Sequence, residues 1–466
     1  MVPLAHSPNA DSSGMPFTPY SRTGGTPLWC EPLGTDIEAD IVIVGGGIAG
    51  ISTALHASLA GLKAVVLEGK EVGWGASSRN SGHIPAATRQ EPSAIMRSFG
   101  PVHGRRIIDA SREAPELVYG LAERYGMDAS AVRAGGIQAA HNATALEKLR
   151  RRVSDLHALG YEVRLLDAEE TASLVGCAPG VYKGAVFDPA GGTLNPLAYV
   201  RGLARAAIGA GARICEHTMV HGIERSGDGW LAKCRSGSVR ARFAIVSTNG
   251  YGAGLLPRLW RSVIAIRAYQ FMTEPLPEDI RRTVLPQGQG FTDTRRLMSG
   301  IRIHKDGRLH FSGIGPLFGP EREPNIDASM ARVRFLFPQI KSIAFDYWWS
   351  GWMAMNQEHS WKIHEVEPRL LAILGCNGRG VGLATIYGRE LADYIAGKPA
   401  ADLALPLQPV KPIAVHPFRR PLVGALATGY RVMDALETAL SRPDRNRRAE
   451  RRKLQATGAA RKEAPE

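Results

Sequence analysis

The chain has 466 residues, of which 44% are hydrophobic and 22% charged, enough apolar material for two cores and far from a fibrous or wholly disordered composition. The formal net charge is +13, but residues 441–466 carry nine Lys or Arg against four Asp or Glu, and no basic stripe interleaved with aromatics occurs elsewhere, so nucleic-acid binding is not expected. No run of 18 apolar residues, no secretory leader and no CxxC spacing occur, which argues against a spanning helix, an exported disulfide framework and a metal centre, and predicts a cytoplasmic protein.

Residues 1–36 are rich in Ser, Pro, Gly and Thr and read as a flexible arm without its own core. Ile41-Val42-Ile43-Val44 is a β-branched run, as expected of a strand covered on both faces. Glycines follow, then a helical pattern from Ile51 to Leu59, a stop at Gly61, and a second strand, Ala64 to Glu68. This is one βαβ unit. Helices are predicted around Arg106–Tyr125 and Ala143–Leu159, with Asp167, Glu169 and Glu170 at a solvated helix start. Asn195–Gly209 is helical, Ala212–Cys215 a short strand, Gly222–Arg242 an antiparallel meander and Phe243–Thr248 a buried parallel strand. Strand patterns follow at Val263–Thr273 and Leu297–Ser312, then a last strand, Leu370–Leu374, and a helix, Val381–Ile395. The nucleotide-binding part is therefore expected as 37–90, 191–253 and 366–400, interrupted by a second domain at 91–190 and 254–365. An extension, 401–440, and the basic tail 441–466, expected to be disordered, close the chain.

Between the first strand and helix lies Gly45-Gly46-Gly47-Ile48-Ala49-Gly50, a GxGxxG. Gly45 makes the turn, Gly47 lets backbone approach a pyrophosphate, and Gly50 permits close helix–strand packing. The helix N-terminus offers N–H groups to the anion. Glu68, 18 residues beyond Gly50, ends the next strand where a carboxylate can accept from both ribose hydroxyls, and so argues against a 2′-phosphate. A second small-residue loop, Gly73 to His83, and a third, Gly375-Cys376-Asn377-Gly378-Arg379-Gly380-Val381 opening another helix, point to a flavin rather than to NAD. A helix N-terminus there can stabilise the charge that gathers on a reduced flavin.

The run GWGASSRNSG, Glu68, Ser247-Thr248-Asn249-Gly250 and GCNGRGVGLA together resemble the FAD-dependent D-amino-acid-oxidase-like superfamily, with most likeness to the gamma-glutamylputrescine oxidoreductase group, relatives of glycine and sarcosine oxidases. The likeness extends from about Pro27 to Leu436 and includes Tyr269 to Leu276 and a Pro-rich C-terminal extension ending in an amphipathic segment. It implies an α/β protein: a Rossmann-like FAD-binding domain with an inserted antiparallel-sheet (α+β) substrate domain. It also implies that Gly45, Gly47, Ile48, Ala49 and Gly50 hold the pyrophosphate and Glu68 the ribose. Ser77, Ser78, Arg79, Asn80 and Gly82 would line pyrophosphate and flavin, Val220 would contact adenine, and Gly378, Arg379, Gly380 and Val381 would face the flavin's carbonyl edge.

The strand segment Gly351–Met355, where sarcosine oxidases carry the cysteine that attaches FAD, has no Cys here, so non-covalent FAD is expected. No Lys can be placed in Gly307–Phe311, which leaves oxygen or another electron acceptor open. His83 is a candidate catalytic or flavin contact, or else a histidine satisfied by local backbone. Trp352 and Tyr269 are candidate substrate contacts, an apolar wall beside an amine or simply strand packing. His304, His310, His359 and His364 show no metal spacing and read as structural or surface residues. The implied activity is oxidation of a C–N bond in a small amine or amino acid, such as a gamma-glutamylputrescine-like, N-methyl or D-amino-acid substrate. A flavin dehydrogenase of a 2-hydroxy acid and a non-catalytic FAD-binding regulatory protein are the alternatives. Oligomeric state is not readable.

Overall fold

The computed structural model describes residues 5–6, 14–252, 254–313 and 315–441, with backbone alone at 5–6 and 438–441. The tail beyond Ser441 lies outside the described residues.

The β-branched run behaves as its composition demands. Ile37–Val44 lies in the middle of a nine-stranded sheet whose parallel centre runs in the order Leu370–Leu374, Gly237–Val246, Ile37–Val44, Ala64–Leu67, Arg213–Cys215. Alternate side chains serve two cores. Ile41, Ile43, Val66, Ile245 and Leu371 face the helices Ile48–Leu59, Pro196–Gly209 and Val381–Ile395. Val42, Val44, Leu67, Val246 and Ala372 face the other way, onto Trp230 and Ala232 of the meander. The meander's last strand and the expected parallel strand at Phe243 are one strand, Gly237–Val246, antiparallel to Gly229–Cys234 and parallel to Ile37–Val44.

A second nine-stranded, largely antiparallel sheet carries Phe345–Met355, Ile264–Pro275, Arg308–Gly313, Gly300–Ile303, Gly290–Asp293, Gly136–Ala139 and Ala185–Asp188 in that spatial order. The stretch expected as one strand from Leu297 to Ser312 is a hairpin, turned at Gly307 with φ +83°. One face of this sheet packs Tyr269, Phe271, Ile301, Leu309 and Phe311 against Met330, Val333 and Leu336 of the helix Ile326–Leu336. Its other face turns Gln270, Arg302, His310 and Trp349 toward the first sheet's glycine loops, and Trp349 Nε1 donates to the Arg79 carbonyl at 3.0 Å. The helix expected at Arg106 begins earlier, at Pro92. Gly100 (φ 74°, ψ 173°) followed by Pro101 breaks it, which hid the first segment from a periodicity reading.

The described part of the N-terminal arm does have a place in the core, contrary to its composition. Tyr20 and Leu33 are buried, and the Cys30 amide donates to Glu216. Single anchors spaced among Ser, Pro and Gly give no periodic signal. Asp167, Glu169 and Glu170 do start a helix, closed by a capping box between Asp167 and Glu170.

Candidate functional site

The glycine turn is built by contact. Gly45 stands at φ +112°, and a Cβ at Gly50 would lie 2.2 Å from the Gly45 carbonyl oxygen and 2.5 Å from Ser247 Oγ. Ser247 in turn donates to the Gly45 carbonyl at 3.0 Å. Gly47 caps the helix Ile48–Leu59 with no side-chain hydrogen bond, and the Ile48 amide meets Ser77 Oγ at 3.0 Å. Glu68 accepts from the amides of Gly46 (2.7 Å) and Lys70 (2.9 Å). Burial nonetheless raises its pKa, which favours further donors such as ribose hydroxyls. Val220 opens a strand two residues after Thr218, whose amide donates to the Glu68 carbonyl. Uncapped helix N-terminus, contact-locked turn and half-buried carboxylate just past the strand end fit an ADP-containing dinucleotide.

The second loop is held by its own side chains. Asn80 Nδ2 donates to the carbonyls of Ala76 and Ser77, and its Oδ1 accepts from the Gly82 amide. Ser78 Oγ points at Met15 Sδ. The Arg79 guanidinium stacks 4.8 Å over Trp74 and donates to the Trp74 carbonyl, so it braces the loop. Gly82 is at φ +74°, where a Cβ would lie 2.1 Å from the Leu194 carbonyl and 3.1 Å from the Arg302 guanidinium.

His83 follows. Its Nε2 lies 3.1 Å from the Ile301 carbonyl and so carries the proton, which leaves Nδ1 to accept from Ser81 Oγ at 2.8 Å. Burial and the nearby Arg302 charge push its pKa down to about 4. His83 is therefore neutral near pH 7, with both ring nitrogens engaged.

At the third loop Asn377 (φ 46°) and Gly378 (φ 78°) turn the chain into the helix Val381–Ile395, whose N-cap, Gly380, makes no side-chain cap. Burial, with Arg152 and Arg89 close by, lowers the pKa of Arg379 to about 10, so it stays charged at neutral pH; its charge is also felt at His83. The sequence reading missed the cluster beyond His83. Arg302 is buried, has no carboxylate partner among the described residues, and its Nε makes no hydrogen bond. Its Nη2 donates to Tyr20 Oη at 3.2 Å, and Tyr20 Oη lies 3.2 Å from His310 Nδ1. His310 Nε2 and Ser312 Oγ then share Gln270 Oε1 at 2.8 and 2.7 Å. His304 stacks on His310, and burial holds both well below the usual histidine pKa. Of the two, read from sequence as structural or surface residues, His310 is buried and His304 half-buried, and both belong to this cluster. A signal existed: Arg302, His304, His310 and Ser312 recur at every second position of strands whose other face is apolar.

Ser312 also lines a cavity of about 1190 Å³, between Phe311 and Ser299 on the sheet, Arg332 on the helix Ile326–Leu336, and Ala427 and Arg431 on the C-terminal helix. Tyr269 and Trp352 do not meet the glycine loops. Tyr269 is in the core behind the sheet with its hydroxyl on the Arg322 carbonyl, and the Trp352 ring lies under the Arg267 guanidinium on that same side. Residue parity decides this: Gln270, Trp349 and Gly351 face the loops, whereas 269 and 352 do not. Among the described residues one histidine–carboxylate group is compact enough for a metal ion, His141, Asp434 and Glu437, and Arg296 bridges both carboxylates.

A parallel sheet with a dinucleotide turn, a second helix without a side-chain cap after the third glycine loop and a second, largely antiparallel sheet define the class: a flavin-dependent oxidoreductase. The profile of the FAD dependent oxidoreductase (DAO) family matches residues 40–394, and the chain belongs to that family. It is 29% identical over 371 residues to gamma-glutamylputrescine oxidoreductase of Escherichia coli K12, covering 79% of this chain and 86% of that one. It is 26% identical to glycine oxidase of Bacillus licheniformis, covering 77% and 94%. Among solved structures, glycine oxidase from Geobacillus kaustophilus superposes with a TM-score of 0.67 at 22% identity, over 78% of this chain and 96% of that one. L-proline dehydrogenase from P. horikoshii superposes at 0.66 and 19% identity, over 79% and 94%. No described helix is long and apolar enough to cross a membrane.

Proposed function

We propose that this chain oxidises a C–N bond of a small amine or amino acid, with FAD held non-covalently and electrons passed to oxygen or another acceptor. The names of its relatives support the substrate class, since they act on gamma-glutamylputrescine and glycine. The observation that carries the reading is the state of the histidines. His83, His304 and His310 are neutral and engaged through both ring nitrogens. A hydroxy acid needs a base for its hydroxyl proton, and histidines of lowered basicity whose ring nitrogens are all engaged are poor bases, while a neutral amine needs none.

When bound, FAD supplies the hydride acceptor. The chain's own residues bind, orient and exclude water. In this assignment Gly45, Gly47, Ile48, Ala49 and Gly50 cradle the pyrophosphate, Glu68 holds the ribose and Val220 lies against adenine. Ser77, Ser78, Arg79, Asn80 and Gly82 shape the flavin-side loop, and Gly378, Arg379, Gly380 and Val381 present N–H groups and a cation to the carbonyl edge. His83 fastens that loop to the substrate sheet. Arg302, a cation without a carboxylate, takes the substrate's anionic group. The cavity beside Ser312 is the substrate's route inward, and the imine formed is hydrolysed by water.

Five free, dispersed cysteines support a reducing, cytoplasmic setting. The test is an anaerobic screen for flavin bleaching with gamma-glutamyl amines, N-methyl amino acids and D-amino acids. Bleaching by these and not by 2-hydroxy acids is expected; the reverse pattern overturns the proposal.

A further inference from the structure

We propose that the C-terminal helix Arg419–Ser441 seats this enzyme on an anionic phospholipid surface. Surface helices ordinarily turn their apolar stripe inward. Here the order is reversed. Gly424, Ala427, Thr428, Arg431 and Asp434 face the cavity, Val423 and Tyr430 are half-buried, and Leu422, Leu426, Val432, Met433 and Leu436 are exposed. Phe418, just before the helix, and Leu422, Leu426, Met433 and Leu436 follow at helical spacing with exposures of 66%, 48%, 52%, 45% and 57%. At 100° per residue they form a stripe opposite the cavity-facing line. Of the fifteen exposed large hydrophobics among the described residues, seven fall between Val415 and Leu436, so this is a patch and not scatter.

The helix cannot simply roll its stripe inward. Arg296 holds Asp434 at 3.1 Å and Glu437 at 2.7 Å, and His141 Nε2 lies 2.8 Å from Glu437. Rotation would break all three contacts.

Charge selects the occupant. Arg419 and Arg420 open the helix, and directly beyond it residues 442–453 contain seven Arg or Lys against Asp444 and Glu450. An amphipathic helix lying in the interface, followed by a polybasic segment, is the pair of signals that holds a protein to anionic lipid. A second copy of the chain would instead bring two such cationic segments, on chains of net charge +13, against each other.

The experiment uses the full-length FAD-loaded enzyme and sedimentation with vesicles of phosphatidylcholine alone or mixed with phosphatidylglycerol. Expected results are co-sedimentation with the mixed vesicles only, and release at about 0.5 M salt, where screening is strong. Leu422→Ser/Leu426→Ser/Met433→Ser should bind about tenfold or more weakly, with FAD content and turnover using a soluble acceptor unchanged. The single variant Leu426→Gln should show a smaller fall in the same direction. The proposal is overturned if the native enzyme stays in the supernatant with phosphatidylglycerol vesicles, or if the triple variant binds them as well as the native enzyme. It is also overturned if the native enzyme ignores vesicles and elutes as a dimer that the triple variant dissociates.

Discussion

Gly47→Ala and Gly50→Ala differ by one methyl group each and should fail for different reasons. At Gly47 the backbone is extended (φ −83°, ψ 179°), which any residue adopts, and the added Cβ would meet only Ser77 Oγ, at 3.0 Å. The apoprotein should therefore lose less than about 0.5 kcal/mol. With FAD bound, the methyl occupies space the pyrophosphate needs, and overpacking of this kind costs about 1–3 kcal/mol, or roughly 5- to 150-fold in Kd. At Gly50 the Cβ would lie 2.2 Å from the Gly45 carbonyl oxygen, so the turn must shift with or without ligand. Apoprotein stability should then fall by about 1–3 kcal/mol as well. The assays are denaturant unfolding of both apoproteins and FAD titration by fluorescence quenching. Native FAD affinity in Gly47→Ala would refute the placement of the pyrophosphate. Equal apoprotein destabilisation in both variants would refute the contact argument.

Three further outcomes are expected. His83 has a folded pKa of about 4 against an ordinary 6.5, so its contribution to stability is present above pH 6.5 and is lost as pH falls toward 4, because only the unfolded chain takes up the proton. That amounts to about 2 kcal/mol between pH 7 and 5, and urea unfolding of His83→Asn should show a shallower pH slope than the native chain; an unchanged slope contradicts it. Arg302→Met should keep its FAD but lose roughly 30- to 1,000-fold in kcat/KM (about 2–4 kcal/mol) for carboxylate-bearing substrates and far less for amines without a carboxylate; equal losses for both would remove Arg302 from substrate binding. Acid or heat should release intact FAD, since no Cys lies in Phe345–Met355 and Cys376 is buried with Sγ on the Ala354 carbonyl. Flavin remaining on the precipitate would contradict this.

The parallel sheet was legible because Ile41–Val44 and Leu370–Leu374 are continuous apolar runs punctuated by glycine, a local signal. Glu68 and the three glycine loops were legible for the same reason. The Arg302–Tyr20–His310–Gln270 cluster was not, because its members lie up to 290 positions apart and meet only through sheet pairing. Tyr269 and Trp352 were singled out as aromatics near the right strands, and strand parity, which depends on register, turns both away from the loops. The break at Gly100 and the anchoring of Tyr20 were lost to composition, since neither leaves a periodic trace.

The central claim is that the reacting bond is C–N and the reactive substrate is a neutral amine. Near pH 7 such a substrate is mostly ammonium, with a pKa of roughly 9–10, close to that of Lys. His83, His304 and His310, the histidines grouped at the glycine loops, are held well below the usual histidine range by burial and the nearby Arg302 charge and contribute no ionisation near neutral pH. The decisive measurement is anaerobic stopped-flow reduction of the bound FAD at subsaturating substrate from about pH 6 to 10. Amine oxidation predicts a rate that rises about tenfold per pH unit up to the substrate's pKa. A flat profile with a substrate that does turn over would contradict the account.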